Sequence, residues 1–273
     1  MKFDYDAKYF HPLQTLDCGQ IFRFTPYKDG FFVIAENKAC YLHSDGVKTV
    51  VESDDSDYFY NFFDLDRDYS EIIRRAKEFG VPLLSRACDA CPGLRLLNQN
   101  AEEMIYSFIV SQNNNIPRIK GIISRICAGL GEKCEFDGVE FYAFPTSEKI
   151  AAAGADFFKR AGAGYRDKYL VETATAIMKN GTENLRALDG GELKKELLKF
   201  KGVGGKVADC IALFGFSKRD SFPVDTWIEK IYREDFNGLE TDREKINKYF
   251  VSAFGEISGY VQQYLFYAKR QNL

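Results

Sequence analysis

The sequence predicts an α+β protein, a small antiparallel sheet followed by an all-helical body. Three observations carry this reading. Up to about residue 50, apolar residues fall in short runs separated by turn residues. From about residue 67 they recur at helical spacing, and no repeat or low-complexity linker divides the chain. The expected division is an N-terminal antiparallel β-sheet domain with flanking helices at residues 1–93 and a helical domain at 94–273.

Four strands are expected first: IFRFTPY, DGFFVIAE, KACYLHSD and GVKTVVES. Lys28-Asp29-Gly30 and Ser44-Asp45-Gly46 supply hairpin turns between them. Residues 51–71, VESDDSDYFYNFFDLDRDYSE, hold eight acids and one base and read as a solvated loop and helix start. Helices are then expected at DYSEIIRRAKEFG, AEEMIYSFIVSQ, IPRIKGIISRICAGLG, SEKIAAAG and RDKYLVETATAIMKNG. GGELKKELLKF, KVADCIALFGF, REKINKYFVSAFG and ISGYVQQYLFYAKRQ continue the pattern.

Composition narrows the function classes. The 273 residues are 45% hydrophobic, enough for one large domain or two smaller ones. No apolar run approaches the ~18 residues that span a bilayer, so no membrane association is expected. The opening MKFDYDAKYF is neither a signal nor a transit peptide, which points to the cytoplasm. Seven cysteines, an odd number, do not read as a disulfide framework. Only Cys88 and Cys91 have metal-like spacing; with no second pair, free and partly buried thiols are expected, and no metal. Nothing after Cys210 is cysteine, so a C-terminal iron–sulfur cluster is not expected. The net charge of −3 does not advertise nucleic-acid binding, yet outside the acidic run 36 basic residues face 32 acidic ones. What matters for DNA is the local field at the contact face.

KGVGGKVADC, residues 201–210, looks like a phosphate-binding loop but is not one. A Walker A loop would need glycine at Phe200 and Ser or Thr at Val207, and the dinucleotide fingerprint would need glycine at Val207. Lying between two helical patterns, the stretch reads instead as a helix-hairpin-helix spanning about residues 191–216. Gly202 and Gly204 let the backbone approach a DNA phosphate, and the second helix offers it free N–H groups. Nineteen residues beyond Lys206, SFPVDTWIEKIY places Asp225 as the N-cap of a helix beginning at Thr226.

Hairpin, lysine and P-V-D together resemble the 8-oxoguanine DNA glycosylase/AP lyase family of the helix-hairpin-helix glycosylase superfamily. Further stretches are similar to family motifs over most of the chain: CGQIFR at Gly19, SQNNNIPR, GYR at Tyr165 and Arg166, and GYVQQYLF with Gln262 and Phe266. Trp227 departs from the histidine common in eukaryotic members, which bears on a phosphate contact and not on the chemistry. The resemblance implies a TATA-binding-protein-like N-terminal sheet and double-stranded DNA with 8-oxoguanine opposite cytosine as partner. A monomer without a cofactor is expected, with a monovalent cation at the hairpin left open and association with the nucleoid if the source is prokaryotic.

The resemblance also implies roles. Lys206 would attack C1′, expel the base and form a Schiff base that permits β-elimination. The positive end of its helix and partial burial are expected to disfavour its ammonium form. Asp225 would stabilise the cationic sugar. The Gly19 carbonyl would accept the N7–H that guanine lacks, Gln262 would meet the Watson–Crick edge, and Phe266 and Cys210 would close on the two faces of the flipped base. Asn113 would fill the vacated space, Tyr165 would wedge the kinked step, and Arg118 and Arg166 would face the estranged cytosine. Three rivals remain: a non-enzymatic hairpin module, an alkyladenine-type glycosylase relying on the aspartate alone, and a metal or redox protein built on Cys88 and Cys91.

Overall fold

Alternation of apolar and polar residues begins at the second residue, where KFDYD forms an edge strand. The computed structural model describes residues 1–272. Five strands, β1 (Lys2–Asp6), β2 (Phe24–Tyr27), β3 (Gly30–Ala35), β4 (Lys38–Ser44) and β5 (Lys48–Ser53), form an antiparallel sheet in the order β1-β5-β4-β3-β2. The turn at Ser44-Asp45-Gly46 forms as expected, with Asp45 Oδ1 accepting from the Val47 and Lys48 amides at 2.8 and 2.7 Å. Strand β1 was not anticipated; its charged residues alternate with Phe3 and Tyr5, which pack on the sheet core. A short helix, α1 (Pro12–Leu16), leads to the Gly19 turn.

The acidic run is not a solvated loop. It contains α2 (Ser56–Phe62), N-capped by Asp55, whose side chain accepts from the Tyr58 amide at 3.0 Å. Phe59, Phe62, Phe63 and Leu65 are buried against Val33, Leu42 and Val51 of the sheet. Apart from buried Asp64, the acids occupy exposed or half-buried positions and the aromatics between them build the core.

The remaining helices are α3 (Tyr69–Glu78), α4 (Pro82–Ala90), α5 (Ala101–Ser111) and α6 (Ile116–Leu130). An unforeseen hairpin, β6 (Lys133–Phe136) and β7 (Val139–Tyr142), packs Phe136 and Phe141 on Phe32 of the sheet. Then come α7 (Ser147–Arg160), kinked at Gly154, α8 (Asp167–Asn180), α9 (Glu183–Arg186), α10 (Gly190–Leu197), α11 (Gly205–Gly215), α12 (Thr226–Asp235), α13 (Arg243–Phe254) and α14 (Ser258–Arg270). The division expected at residue 93 does not follow the packing. Tyr69 and Ile72 of α3, Leu84 and Cys88 of α4, and even Cys18 and Phe22 share one core with α5, α11 and α14. The sheet and the helical body meet around Arg95, which is fully buried.

No described helix is long and apolar enough to cross a membrane. Cys88 and Cys91 are buried free thiols, and burial pushes Cys88 up to about 12 and Cys91 higher still. Among the described residues no group of three His, Cys, Asp or Glu could hold a metal ion.

Candidate active site

Helix α10 starts at Asp189, whose side chain accepts from the Glu192 amide at 2.8 Å, and buries Leu193 and Leu197. The chain then reverses through Lys201-Gly202-Val203-Gly204. Gly202 has φ +81, and a Cβ there would lie 2.3 Å from the Tyr169 ring, so no other residue fits. Helix α11 follows with Gly204 as an N-cap that makes no side-chain bond, leaving its first amides open toward the outside. Lys206 stands in that first turn, half-buried, with its amine 5.6 Å from the centre of the Phe108 ring.

The expected N-cap at Asp225 forms. Its Oδ1 accepts from the Trp227 and Ile228 amides, both at 3.0 Å, while buried Phe222, Pro223 and Val224 anchor the approach. This start of α12 brings the carboxylate into a cleft with Lys206. Gly19, Cys210, Gln262 and Phe266 line the same cleft, so six expected residues from four segments converge. Gly19 has φ +79, and a Cβ there would lie 3.4 Å from the Phe266 ring. Cys18, Phe108, Phe214, Pro223 and Gln263 complete the wall and were not foreseen. Apolar residues on apolar helices look like core; for Phe108, only its place one turn before SQNNN could have marked it.

The cleft is narrow, with a volume of about 50 Å³. At ~10–15 Å³ per water position this admits a few waters and not a two-ring base. A purine therefore does not fit the cleft as it stands, with Phe266 half-buried and leaning on Gly19. Two larger clefts, of about 640 and 570 Å³, are lined by neither Lys206 nor Asp225.

Electrostatics correct one expectation. Burial, the largest influence, pulls the Lys206 pKa down, but Cys210 and Asp225 together outweigh it and hold the ammonium above its ordinary range. Burial in turn pushes the Cys210 thiol up to about 11. Behind them Asp209 accepts from Lys194 at 2.9 Å and Asn247 at 3.1 Å, and Asn247 donates to the Phe222 carbonyl at 2.8 Å. This buried chain ties α10, α11, α13 and the approach to Asp225 together.

The other expected DNA residues lie at the α5–α6 junction and before α8. Asn113 is exposed and has φ +43; Arg118 is exposed, with one long contact of 3.4 Å to the Gly162 carbonyl. Tyr165 is exposed, edge-on to Tyr169, which in turn packs on Gly202. Arg166 differs from expectation. It is 2% exposed and gives its guanidinium to the Ala163, Gln112 and Asn113 carbonyls, with the Tyr165 ring stacked 4.3 Å away. In this structure it is a clamp on the Asn113 loop and not an open fork, because three main-chain acceptors already surround it.

Residues 2–105 match the family described as 8-oxoguanine DNA glycosylase, N-terminal domain, and residues 106–255 match the HhH-GPD superfamily of base excision DNA repair proteins. Among curated relatives, an Arabidopsis thaliana N-glycosylase/DNA lyase OGG1 is 34% identical over 65% of this chain and 52% of its own length. A probable N-glycosylase/DNA lyase of Methanothermobacter thermautotrophicus is 32% identical over 70% of this chain and 68% of its own. The chain thus spans about half the length of the plant relative. A crystal structure of Clostridium acetobutylicum 8-oxoguanine glycosylase/lyase with double-stranded DNA containing cytosine opposite 8-oxoguanine superposes with a TM-score of 0.92 at 36% identity, covering 100% of this chain and 99% of that one. The sheet, the hairpin and the lysine–aspartate cleft are those of a helix-hairpin-helix base-excision repair protein. Within that superfamily, the chain belongs to the 8-oxoguanine DNA glycosylase family.

Proposed function

We propose that this protein is a bifunctional DNA glycosylase/AP lyase that excises 8-oxoguanine paired with cytosine and then nicks the strand. The observation that carries the reading is the meeting of Lys206 and Asp225 in one cleft whose other walls are Gly19, Cys210, Gln262 and Phe266. The glycosidic carbon is out of reach inside a duplex, so the damaged nucleotide must be flipped into this cleft. The Lys206 amine, once deprotonated, forms a bond to C1′ as the C1′–N9 bond breaks and the base leaves with its electron pair and a proton. Ring opening gives the imine, and loss of a C2′ proton expels the 3′ phosphate. Asp225 faces the sugar as positive charge develops there.

Guanine carries an acceptor at N7 where the oxidised base carries N–H. A Gly19 carbonyl pointing at that atom pairs with the second and leaves both acceptors unsatisfied with the first, a mismatch that can discriminate ~10⁴-fold. The open amides at the start of α11, with Gly202 and Gly204 behind them, would take a phosphate. Because Lys206 supplies the nucleophile, our reading requires no cofactor. It makes the protein a monomer on duplex DNA, working in the cytoplasm or at the nucleoid of a prokaryote.

Borohydride trapping on an 8-oxoguanine·cytosine duplex tests the whole reading. We expect a covalent adduct with the wild type, none with Lys206→Gln, and near wild-type binding of damaged DNA by that variant. An adduct that persists in the variant makes another amine the nucleophile. Excision without any adduct points to the alkyladenine type, and binding without excision to a non-enzymatic hairpin module.

A further inference from the structure

The cleft of about 570 Å³ that excludes Lys206 and Asp225 lies along the edge of the sheet. It runs between edge strand β2, the outer face of α6 and the β6–β7 hairpin, and its size is that of an ordinary small-molecule site. One wall is aromatic, with Phe24, Phe32 and Phe141. The other is α6, where Gly121, Ser124 and Ala128 share a face and keep the groove open because they are short. Ser124 and Ala128 are exposed, so no described part of the chain covers that wall.

One charge stands in this apolar setting without an anion. Lys120 is half-buried, its amine 3.2 Å from the centre of the Phe24 ring and donating to the Phe24 carbonyl at 3.2 Å. Among the described residues it makes no ion pair. The field of Asp17 reaches it, but burial outweighs that attraction and pulls the Lys120 pKa down. Asp17 is itself held by Arg270 at 2.9 Å. The other charges lining the groove are matched, Arg23 by Glu103 at 3.1 Å and Glu140 by Lys133. A cation partly stripped of water and given no counter-charge is destabilised, and an anion seated beside it would relieve that cost. An added peptide strand is not the ligand that fits. The outward carbonyl of Phe24 is already taken by Lys120 and Pro26 has no N–H, so the edge of β2 is closed.

We propose that this groove is a second ligand site, separate from the DNA cleft, and that it takes a small aromatic carboxylate. The carboxylate pairs with the Lys120 ammonium. The ring lies between Phe24, Phe32 and Phe141 on one side and the short residues of α6 on the other. The unmatched charge selects the anionic end and the aromatic wall selects a flat apolar body. The assignment stands on the groove alone and does not depend on the reaction proposed above.

2-Naphthoate and 2-naphthamide have nearly the same size and differ in charge, so calorimetric titration of each into the full chain makes the test. Wild type should bind naphthoate with a Kd of ~0.1 mM, as suits a ligand of this size, and the amide ~tenfold or more weakly. Lys120→Met keeps the apolar stem and should bring naphthoate down to the affinity of the amide. Ser124→Trp fills the groove from an exposed position and should weaken both ligands ~tenfold or more. The DNA cleft also sets a lysine beside aromatic rings and is the competing location, so Lys206→Gln should leave naphthoate binding unchanged. Equal affinity for the two ligands, or no saturable binding by the wild type, overturns the proposal. So does an unchanged naphthoate affinity in Lys120→Met or Ser124→Trp, and so does its loss in Lys206→Gln, which would put the ligand in the DNA cleft. Thermal unfolding checks that each variant is folded; if Lys120→Met is not, Lys120→Gln is held to the same outcomes.

Discussion

In the proposed reaction Lys206 would act as a nucleophile only after shedding a proton that its surroundings help it keep. Cys210 and Asp225 both hold the proton against the pull of burial. In that reaction the Asp225 carboxylate would link the two halves of the chemistry, stabilising the ammonium before attack and the cationic sugar during it. Asp225→Asn should slow base excision by ~10²–10³ while costing little binding, since its charge matters most as the sugar ionises. The same substitution should lower the pH at which Lys206 reacts with a preformed abasic site. Trapping yield followed against pH checks this, and an unchanged midpoint would remove Asp225 from the proton's account. Both residues were legible in the sequence because glycine spacing and P-V-D are rare patterns. Gln263 and Phe108 were not, because an amide or a ring on a buried helix reads as core until the cleft beside it is seen.

Between α5 and α6 a loop of three asparagines has two arginines beside it, and the structure separates their work. Arg166 clamps the Gln112 and Asn113 carbonyls from inside, whereas Arg118 points outward one turn into α6, whose N-cap Asn115 accepts from the Arg118 amide at 3.0 Å. Arg118→Ala should lower excision opposite cytosine far more than opposite adenine or thymine, whereas Arg166→Ala should lower all four pairings by a similar factor by releasing the loop. Single-turnover rates against the four opposite bases decide both; a uniform loss for Arg118→Ala, with a salt slope reduced by about one unit, would make it a phosphate contact. The motif was legible here, but the division of labour was not, since burial of Arg166 depends on the turn before α8. Beneath the hairpin, burial raises Asp209 to about 7, the Lys194 charge offsetting only part of the cost. Burial pulls Lys194 down, but Asp209 and Glu244 more than reverse it. The folded protein thus keeps the Asp209 proton to about pH 7 while the unfolded chain loses it near pH 4. That group's contribution to stability is full below about pH 4 and declines as pH rises to about 7. Asp209→Asn keeps the acceptor and leaves Lys194 paired with Glu244 at 2.8 Å. It should raise the melting temperature relative to wild type more at pH 8 than at pH 4; parallel curves would contradict the raised value.

Across the whole molecule, the sheet was legible from its hairpin turns and the body from helical spacing, but their junction was not. Arg95 lies in CPGLRLLNQN, a stretch without regular structure, and nothing in its neighbours marks it as the centre of the protein. In the structure its Nε donates to the Phe63 carbonyl at 3.0 Å and its Nη1 to the Tyr9 carbonyl at 2.8 Å, while Nη2 donates to the Asp64 and Arg67 carbonyls. Its guanidinium carbon lies 3.9 Å from the centre of the ring of Tyr69, the first residue of α3. Only a flat guanidinium with five donors can satisfy four carbonyls arranged around one point. The junction also fixes the active site, since Gln20, next to Gly19, donates to the Arg95 carbonyl at 2.7 Å and accepts from the Leu97 amide at 2.9 Å. Arg95→Met keeps much of the volume but strands four acceptors, two in buried and two in part-buried bonds, and should cost ~3–5 kcal/mol of unfolding free energy. Arg95→Lys should recover only part of that, because one ammonium cannot reach all four. Urea unfolding of the three proteins measures it, and a loss below about 1 kcal/mol for the methionine variant would show that water satisfies those carbonyls and that packing alone holds the sheet to the helices.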